Sequence, residues 1–292
     1  MPSLLINLIN RKVVPCKFYR RLNLRNLSNS SMSAAIQPFK GLTDRFNGVT
    51  VDSQKENCEL PNFLATLEES MKVWETSKKR GIWFKVDIQQ SDWVPILAKK
   101  GFNFHHANTD YVMMFRWLPK EENNVPSYAH TMVGVGAVVV NDKSELLVVR
   151  ERYGFTNWWK LPGGYVEPAE NIVDAAIREV YEETHISTEF HSMLTMTQAH
   201  ERMFGCSDLY FIVSLIPTST DIEKCDREIS ECQWMKIDEY LDHDSVTELN
   251  KFFIKTYLNY KSNCITINCK HGIHSLLKKA YTVHYATKID EK

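Results

Sequence analysis

The chain has 292 residues, of which 43% are hydrophobic and 24% charged, enough material for one large or two ordinary domains. Thirty-five Lys and Arg nearly balance 36 Asp and Glu. This balance disfavours a general nucleic-acid or membrane surface, because each needs a basic excess. No apolar run approaches the length of a transmembrane helix. Seven scattered cysteines without a CxxC pair favour a reducing compartment.

The first 35 residues are basic: they carry six Lys or Arg, and no acidic residue precedes Asp44. This composition is typical of a mitochondrial presequence, and a disordered basic tail is the alternative. We therefore predict a mitochondrial protein. A translation start at Met32 would give a shorter cytoplasmic or nuclear form without this segment.

Residues 36–120 are predicted to form a small α/β domain. A helix over 61–79 would bury one apolar side and end at Gly81. A second, short helix over 93–100 would stop at Gly101. The side chains of the first apolar side are Phe63, Leu64, Leu67, Met71 and Trp74. Strands are predicted over 49–51, 82–86 and 111–117.

A polar, Pro-bounded linker over 121–127 precedes a second predicted domain over 128–260. Its first strand contains Gly134 and Gly136, which are not a dinucleotide fingerprint because a third Gly and an adjacent helix are missing. The predicted elements are a hairpin of strands 132–140 and 145–150, strands 189–198, 208–217 and 228–235, and a helix over 246–260 whose apolar side is Val246, Leu249, Phe253 and Tyr257.

Residues 261–292 are poorly patterned and are predicted to be a C-terminal tail. Two cysteines and two histidines cluster within it, but their spacing matches no common zinc pattern. A metal site and a mobile tail both remain open. The four residues are Cys264, Cys269, His271 and His274.

An acidic helix is predicted between the first and second pairs of strands of the second domain. Glu179, Glu182 and Glu183 stand at i, i+3 and i+4, so they share one helical face, and the opposite face is apolar. Clustered carboxylates repel one another, and Mg²⁺ is commonly held by a few carboxylates plus substrate phosphates. Asn171 is positioned to cap this helix, with Asp174 three residues later.

The stretch from Gly164 to Ile186 resembles the Nudix box, Gly-x5-Glu-x7-Arg-Glu-U-x-Glu-Glu-x-Gly-U, where U is bulky and apolar. Every charged position of the pattern is filled. One position departs, because His185 stands where the family has Gly. That Gly supplies a left-handed residue at the helix end, a conformation that His also adopts at a cost of about 1 kcal/mol.

The resemblance implies a role for each charged residue of the box. Glu179 and Glu183 match the main Mg²⁺ or Mn²⁺ ligands, and Glu182 matches a further ligand or the catalytic base. Arg178 and Glu170 match a salt-bridged pair that orients these ligands. A further metal ligand is expected from the carbonyl of Gly163 or Gly164.

Other candidate site residues lie outside the box. Some family members recruit another acid, for which Glu228 and Glu231 are candidates, with solvated edge charges as the alternative. Trp158 and Trp159 are candidates for stacking on a base, with a core role as the alternative. Two loop residues, His200 and Arg202, are candidates for substrate contact, with an ordinary surface turn as the alternative.

The implied fold is a Nudix α/β/α sandwich preceded by a smaller acetyltransferase-like α/β domain. Residues 36–120 resemble the domain that precedes the Nudix domain in one eukaryotic group, which includes plant Nudix hydrolases and the animal protein encoded antisense to a fibroblast growth factor gene. We find no Gly-rich acetyl-CoA loop, so acetyl transfer is not expected.

The implied reaction is metal-dependent hydrolysis of a nucleoside diphosphate linked to another group, with ADP-ribose or NADH-type substrates. The extra motif of dedicated NADH pyrophosphatases is absent downstream. Two alternatives stay open: a regulatory or partner-binding protein with weak or no catalysis, and a capped-RNA hydrolase. We expect a small nucleotide substrate and no membrane partner, and the sequence is compatible with a homodimer.

Overall fold

A computed structural model describes residues 36–153 and 157–288. The predicted presequence over residues 1–35 lies outside the described residues. The described chain forms two compact units that divide after Ala129. None of the helices in these ranges is long and apolar enough to cross a membrane.

The first unit is a five-stranded sheet with two helices packed on one face. The helices are α1 (Leu60–Thr76) and α2 (Trp93–Lys99). The strand order is β1-β2-β3-β5-β4, with β2 and β3 parallel and the other neighbours antiparallel. The strands are β1 (Leu42–Thr43), β2 (Val49–Asp52), β3 (Gly81–Asp87), β4 (Asn103–Ala107) and β5 (Tyr111–Trp117).

The apolar side predicted for α1 is buried with one exception. Phe63, Leu67 and Trp74 are in the core, whereas Leu64 is 41% exposed because it falls outside the stripe that faces the sheet. The prediction that Gly81 ends α1 was wrong, since the helix ends at Thr76 and Gly81 begins β3. Strand β4 was not predicted, because its sequence Asn-Phe-His-His-Ala has no β-branched residue.

The second unit has a five-stranded sheet of order β12-β11-β8-β9-β6 and a two-stranded sheet of β7 and β10. Its helices are α3 (Ile172–Thr184), α4 (Ile237–Asp242) and α5 (Glu248–Ser262). Its strands are β6 (Thr131–Val139), β7 (Glu145–Glu151), β8 (Thr188–Ala199), β9 (Ser207–Pro217), β10 (Ile229–Lys236), β11 (Ile265–Ile273) and β12 (Ala280–Lys288).

Strand β6 explains the layering of this unit, because it is buried on both faces. Val135 and Ala137 pack with Val180 of α3 in one cluster, whereas Val138 packs with Phe253 of α5 in another. Alternate residues of a strand face opposite sides of its sheet. The sheet therefore lies between α3 and α5, which confirms the α/β/α sandwich.

The predicted hairpin of the first two strands was wrong. β6 pairs in parallel with β9, and β7 pairs with β10 in the smaller sheet. The Asn141 side chain stabilises the turn between β6 and β7 by accepting the N–H groups of Lys143 and Glu145. The two strands then share only a single bridge, between Val140 and Leu146, before β7 joins β10 in the smaller sheet. In α5, Phe253 is buried as predicted, but Leu249 is 52% exposed.

The C-terminal tail prediction was also wrong. After α5, strands β11 and β12 pair with each other over nine residues, and β11 joins the larger sheet beside β8. Lys, His, Gly and Cys interrupt the apolar alternation of these strands, which hid them. Within residues 36–153 and 157–288, no three His, Cys, Asp or Glu side chains are grouped to hold a metal ion, here or elsewhere.

Candidate active site

Helix α3 carries the acidic residues toward a glycine loop. Its apolar face packs into the core through Ala176 and Val180. Gly163 and Gly164, which precede the helix in sequence, lie against the opposite face. A Cβ on Gly163, whose φ is +152°, would come within 2.1 Å of the Val135 carbonyl oxygen. Only glycine permits this approach.

Gly164 brings the backbone against a carboxylate. A Cβ there would lie 2.6 Å from both oxygens of Glu179. The Gly164 carbonyl accepts the Val135 N–H at 2.8 Å, which ties the loop to β6. The Gly163 carbonyl accepts no hydrogen bond from the described residues. Gly163 is therefore the better source of a backbone oxygen for a ligand.

Glu183 is the most buried acid of the site, with 5% of its surface exposed. Its Oε2 accepts the Gly163 N–H at 3.0 Å, and its Oε1 lies 3.8 Å from Lys160 Nζ. Burial raises the pKa of Glu183 to about 7, although Lys160 and the Gly163 N–H oppose the shift. The cost of burying this carboxylate thus outweighs the compensation from Lys160 and the Gly163 N–H.

Glu179 shares that environment. Desolvation raises its pKa, the Arg178 guanidinium lowers it, and the charges of Glu182 and Glu228 raise it further. Glu182 differs, because 56% of its side chain is exposed. The helix therefore presents two sheltered carboxylates and one that reaches solvent.

Arg178 connects the acids. Its Nε and Nη2 donate to Glu170 at 2.8 and 2.9 Å, and Nη1 donates to Glu179 at 2.9 Å and to Glu182 at 3.0 Å. Nη2 also donates to the Tyr165 carbonyl at 3.0 Å. The hydrogen bond with Glu170 contributes most to holding the pKa of Arg178 above its usual range, and the contacts with Glu179 and Glu182 add to it. The Arg178–Glu170 ion pair implied by the family resemblance is present, and the same guanidinium also contacts Glu179 and Glu182.

Two residues beside the acids, Lys160 and Tyr210, were missed by the sequence reasoning. Lys160 bonds Glu151 at 2.6 Å as well as approaching Glu183, and it follows the Trp pair just before the glycine loop. Tyr210 of β9 is half-buried near these acids, and its ring fills the space left by Gly134 and Gly136. The spaced glycines of β6 were a signal for a large neighbouring side chain.

The two candidate acids outside the box separate. The charge of Glu228 raises the pKa of Glu179, which places Glu228 in the same electrostatic environment. Glu231 is instead paired with Arg150, at 3.0 and 3.1 Å, on the β7–β10 sheet. Glu228 lies in the turn before β10, whereas Glu231 lies within the strand and opposite Arg150, a register that was not visible in the sequence.

The candidate substrate residues also separate. Trp159 is buried beneath Arg150 and has a core role, whereas Trp158 is 39% exposed. His200 lies at the β8–β9 turn, where its Nδ1 is 2.9 Å from Ser207 Oγ. Arg202 is exposed on the same turn.

Tyr165 links that turn to the active site. Its hydroxyl lies 3.5 Å from Met203 Sδ on the β8–β9 turn, while its carbonyl accepts from Arg178. The side chain is 45% exposed. Tyr165 was missed as a candidate for substrate contact, although an aromatic residue directly after the two glycines was a usable signal in the sequence.

The N-terminus of α3 is not capped as predicted, whereas its C-terminus has the predicted conformation. Asn171 occupies the N-cap position, but its side chain caps no backbone N–H; it donates to Asp174 Oδ2 and accepts from Thr282 of β12. His185 is left-handed at φ 57°, as expected. Its Nδ1–H donates to the Glu223 carbonyl at 2.8 Å, a contact that Gly cannot make.

Comparison with known proteins decides the family. The NUDIX domain family matches residues 130–255, and a second family, described as Nudix hydrolase domain, matches residues 39–118. Nudix hydrolase 10 of Arabidopsis thaliana is 39% identical over 75% of this chain and 76% of its own length. The chain belongs to the Nudix hydrolase family.

Two further relatives place this Nudix hydrolase in the expected eukaryotic group. Nudix hydrolase 8 of Arabidopsis thaliana is 38% identical over 77% of this chain, and the match spans 63% of that relative's length. Nucleoside diphosphate-linked moiety X motif 6 of Homo sapiens is 36% identical over 72% of this chain and 69% of its own. This Nudix chain thus shares both its units with plant and animal relatives.

Proposed function

We propose that this Nudix hydrolase cleaves ADP-ribose or an NADH-type dinucleotide with Mg²⁺ or Mn²⁺ as cofactor. The observation that carries the proposal is the arrangement of Glu179 and Glu183 against the Gly163–Gly164 loop. Arg178 and Lys160 are the cations in contact with these two acids. Additional positive charge is needed before a diphosphate can enter such a site.

The donor chemistry fits a hard divalent cation, and the three carboxylates converge on it only after Glu182 rotates. Glu179 and Glu183 would hold it, together with the Gly163 carbonyl and, after rotation about its exposed side chain, Glu182. A bound cation would supply Lewis-acid activation of the phosphoryl oxygens and neutralise developing charge. The rotation is needed because the Arg178 guanidinium lies between Glu179 and Glu182 in the described structure.

The protein's own groups have separable tasks in the proposed reaction. Glu182 is the acid open to solvent and is suited to take a proton from an attacking water. Arg178 sets the orientation of Glu179 and Glu182 while Glu170 fixes the guanidinium. Lys160 offsets charge between Glu151 and Glu183.

Substrate groups beyond the diphosphate have aromatic and basic neighbours. Tyr165 offers an exposed ring beside the Arg178 contact, and Trp158 is an exposed ring two residues before Lys160. We propose base stacking on these rings. His200 and Arg202 of the β8–β9 turn would contact the remaining part of the substrate.

The test is a substrate panel with purified full-length chain and Mn²⁺. ADP-ribose, NADH, capped RNA and diphosphoinositol phosphates would each be assayed against the wild type and Glu182→Gln. We expect turnover of ADP-ribose or NADH that falls strongly in the variant. Turnover of capped RNA alone would replace the substrate proposal. Absence of any Glu182-dependent turnover would instead support the regulatory alternative.

Mitochondrial import is proposed from the basic residues 1–35. Deletion of residues 1–31 should move a tagged protein out of mitochondria. An unchanged mitochondrial location would contradict the proposal.

A further inference from the structure

The first unit contains a cavity of about 390 Å³ that the Nudix chemistry does not use. Ligand sites for small molecules commonly start at about 300 Å³. The cavity lies on the sheet face opposite the helices: Ile82 and Phe84 of β3 are buried beneath α1 and α2, whereas Trp83 between them lines the cavity. Trp117 of β5 and Phe46 supply further aromatic surface.

The linker forms one wall of this cavity and is held in place. Asn124, Val125 and Pro126 line it. The Glu121 carbonyl accepts the Trp117 indole N–H at 2.9 Å, and Tyr128 stacks on His106 with ring centroids 4.5 Å apart. Anchors on both sides thus hold the lining segment across the sheet face.

The charged residues of the cavity disfavour a phosphate ligand. Arg80 is paired with Glu121 at 3.0 Å, and its guanidinium lies over the Trp117 ring, 4.8 Å from the centroid. Its charge is therefore already balanced, and it extends the flat wall. Asp44, the other charged lining residue, would repel an anion. The cavity suits a flat, uncharged group.

One edge of the cavity offers a donor and an acceptor. The Trp83 indole N–H has no hydrogen-bond partner among residues 36–153 and 157–288. Asp44 Oδ1 accepts the N–H groups of Phe46 and Gly48, both at 2.8 Å, and its Oδ2 has no partner in the same ranges.

Two glycines leave space next to these polar atoms that a side chain would otherwise occupy. A Cβ on Gly81 would lie 3.2 Å from Trp83 Nε1. A Cβ on Gly48 would lie 2.6 Å from Asp44 Oδ2 and 3.0 Å from the Gly81 carbonyl oxygen. The indole N–H and the carboxylate therefore flank the contact between Gly48 and Gly81.

We propose that this cavity binds the purine ring of an uncharged nucleoside, with adenosine as the first candidate. The ring stacks on the aromatic wall, its exocyclic amino group donates to Asp44, and a ring nitrogen accepts the Trp83 N–H. Adenine offers an amino donor and a nitrogen acceptor on one edge. The site is separate from the diphosphate site and does not depend on hydrolysis there.

The experiment follows the tryptophan indole N–H signals of the full-length chain, labelled with nitrogen-15, during titration with adenosine. The Trp83 signal is assigned by its loss in Trp83→Phe. We expect a saturable shift of this signal, while that of Trp234, which donates to the Thr220 carbonyl in the second unit, stays constant. Ribose and inorganic phosphate should shift neither.

Two variants test the site in different ways. Trp117→Ala should raise the dissociation constant for adenosine by about tenfold or more, because stacking is lost. Asp44→Asn should also raise this dissociation constant, although the amide oxygen still accepts the N–H groups of Phe46 and Gly48. Retained dispersion of the remaining indole signals verifies folding. Absence of a saturable Trp83 shift, or unchanged affinity in both variants, would overturn the proposal.

Glu182→Gln separates this proposal from the proposed hydrolysis. Adenosine affinity at Trp83 should be unchanged in that variant, whether or not the wild type turns over ADP-ribose. A loss of the Trp83 response in Glu182→Gln would place adenosine in the catalytic unit and overturn the cavity assignment.

Discussion

Arg178 donates two parallel hydrogen bonds to Glu170, from Nε at 2.8 Å and from Nη2 at 2.9 Å. The remaining nitrogen, Nη1, is left to hold Glu179 and Glu182. A planar guanidinium provides this fork, and a lysine ammonium does not. The pair therefore fixes the direction in which two acids of the box point.

Arg178→Lys should lower kcat by about 10- to 100-fold, the range found when groups that orient metal ligands are removed. Apparent Mn²⁺ affinity should weaken in parallel, a change that loss of stability alone does not produce. Arg116→Lys is the matched control, since Arg116 donates to the Lys100 carbonyl in the first unit. Equal activity of Arg178→Lys and the control would contradict the orienting role.

Glu183 should make the metal-free protein less stable as pH rises. Its pKa is raised by burial from 4.5 to about 7, so between these values the unfolded chain has released a proton that the folded chain keeps. The folded state is destabilised progressively across this window, by on the order of 3 kcal/mol once the pH exceeds about 7.

Glu183→Gln removes this titration and keeps an acceptor for the Gly163 N–H. In the presence of a chelator, the variant should equal the wild type at about pH 4 and exceed it in free energy of unfolding at about pH 8. Urea denaturation at several pH values measures the difference. Added Mn²⁺ should stabilise the wild type at about pH 8 more than the variant. A pH-independent difference would refute the assigned origin of the shift.

Glu228 and Glu231 form a matched pair for a test of the acid outside the box. Glu228→Gln should reduce kcat by about 10- to 100-fold, because it removes one of the negative charges that surround Glu179 and would attract the cation. Glu231→Gln breaks only an ion pair with Arg150 on the smaller sheet, so its kcat should stay within about twofold. The opposite ranking of the two variants would exclude Glu228 from the site.

His185 combines a backbone cost with a side-chain gain. His185→Gly relieves about 1 kcal/mol of left-handed strain and loses the hydrogen bond to the Glu223 carbonyl, worth about 1 kcal/mol, so its stability should stay within about 1 kcal/mol of the wild type. His185→Ala keeps the strain and loses the bond, and should be about 1 kcal/mol less stable than the wild type. Denaturant unfolding measures both. An activity gain of orders of magnitude in His185→Gly would contradict a purely structural role.

Local sequence patterns correctly predicted the helices and strands whose residue spacing forms one continuous face. The period of α1, the alternation of β5 and the spacing of acids on α3 each depend on neighbours in sequence. The same local logic failed for the tail, because β11 and β12 are stabilised by each other across a turn and by β8, not by their own composition.

The sequence by itself determined the family and the acidic box, since Arg178, Glu179, Glu182 and Glu183 occupy one helix whose geometry is fixed by residue spacing. Only the tertiary structure decided which distant groups reach that helix. Strand order and the parallel pairing of β6 with β9 bring Lys160, Tyr210 and Glu228, which are distant in sequence, into one electrostatic environment with the acids of this helix. Burial is likewise a property of the assembled layers, and it is burial that raises the pKa of Glu183 above that of an exposed glutamate.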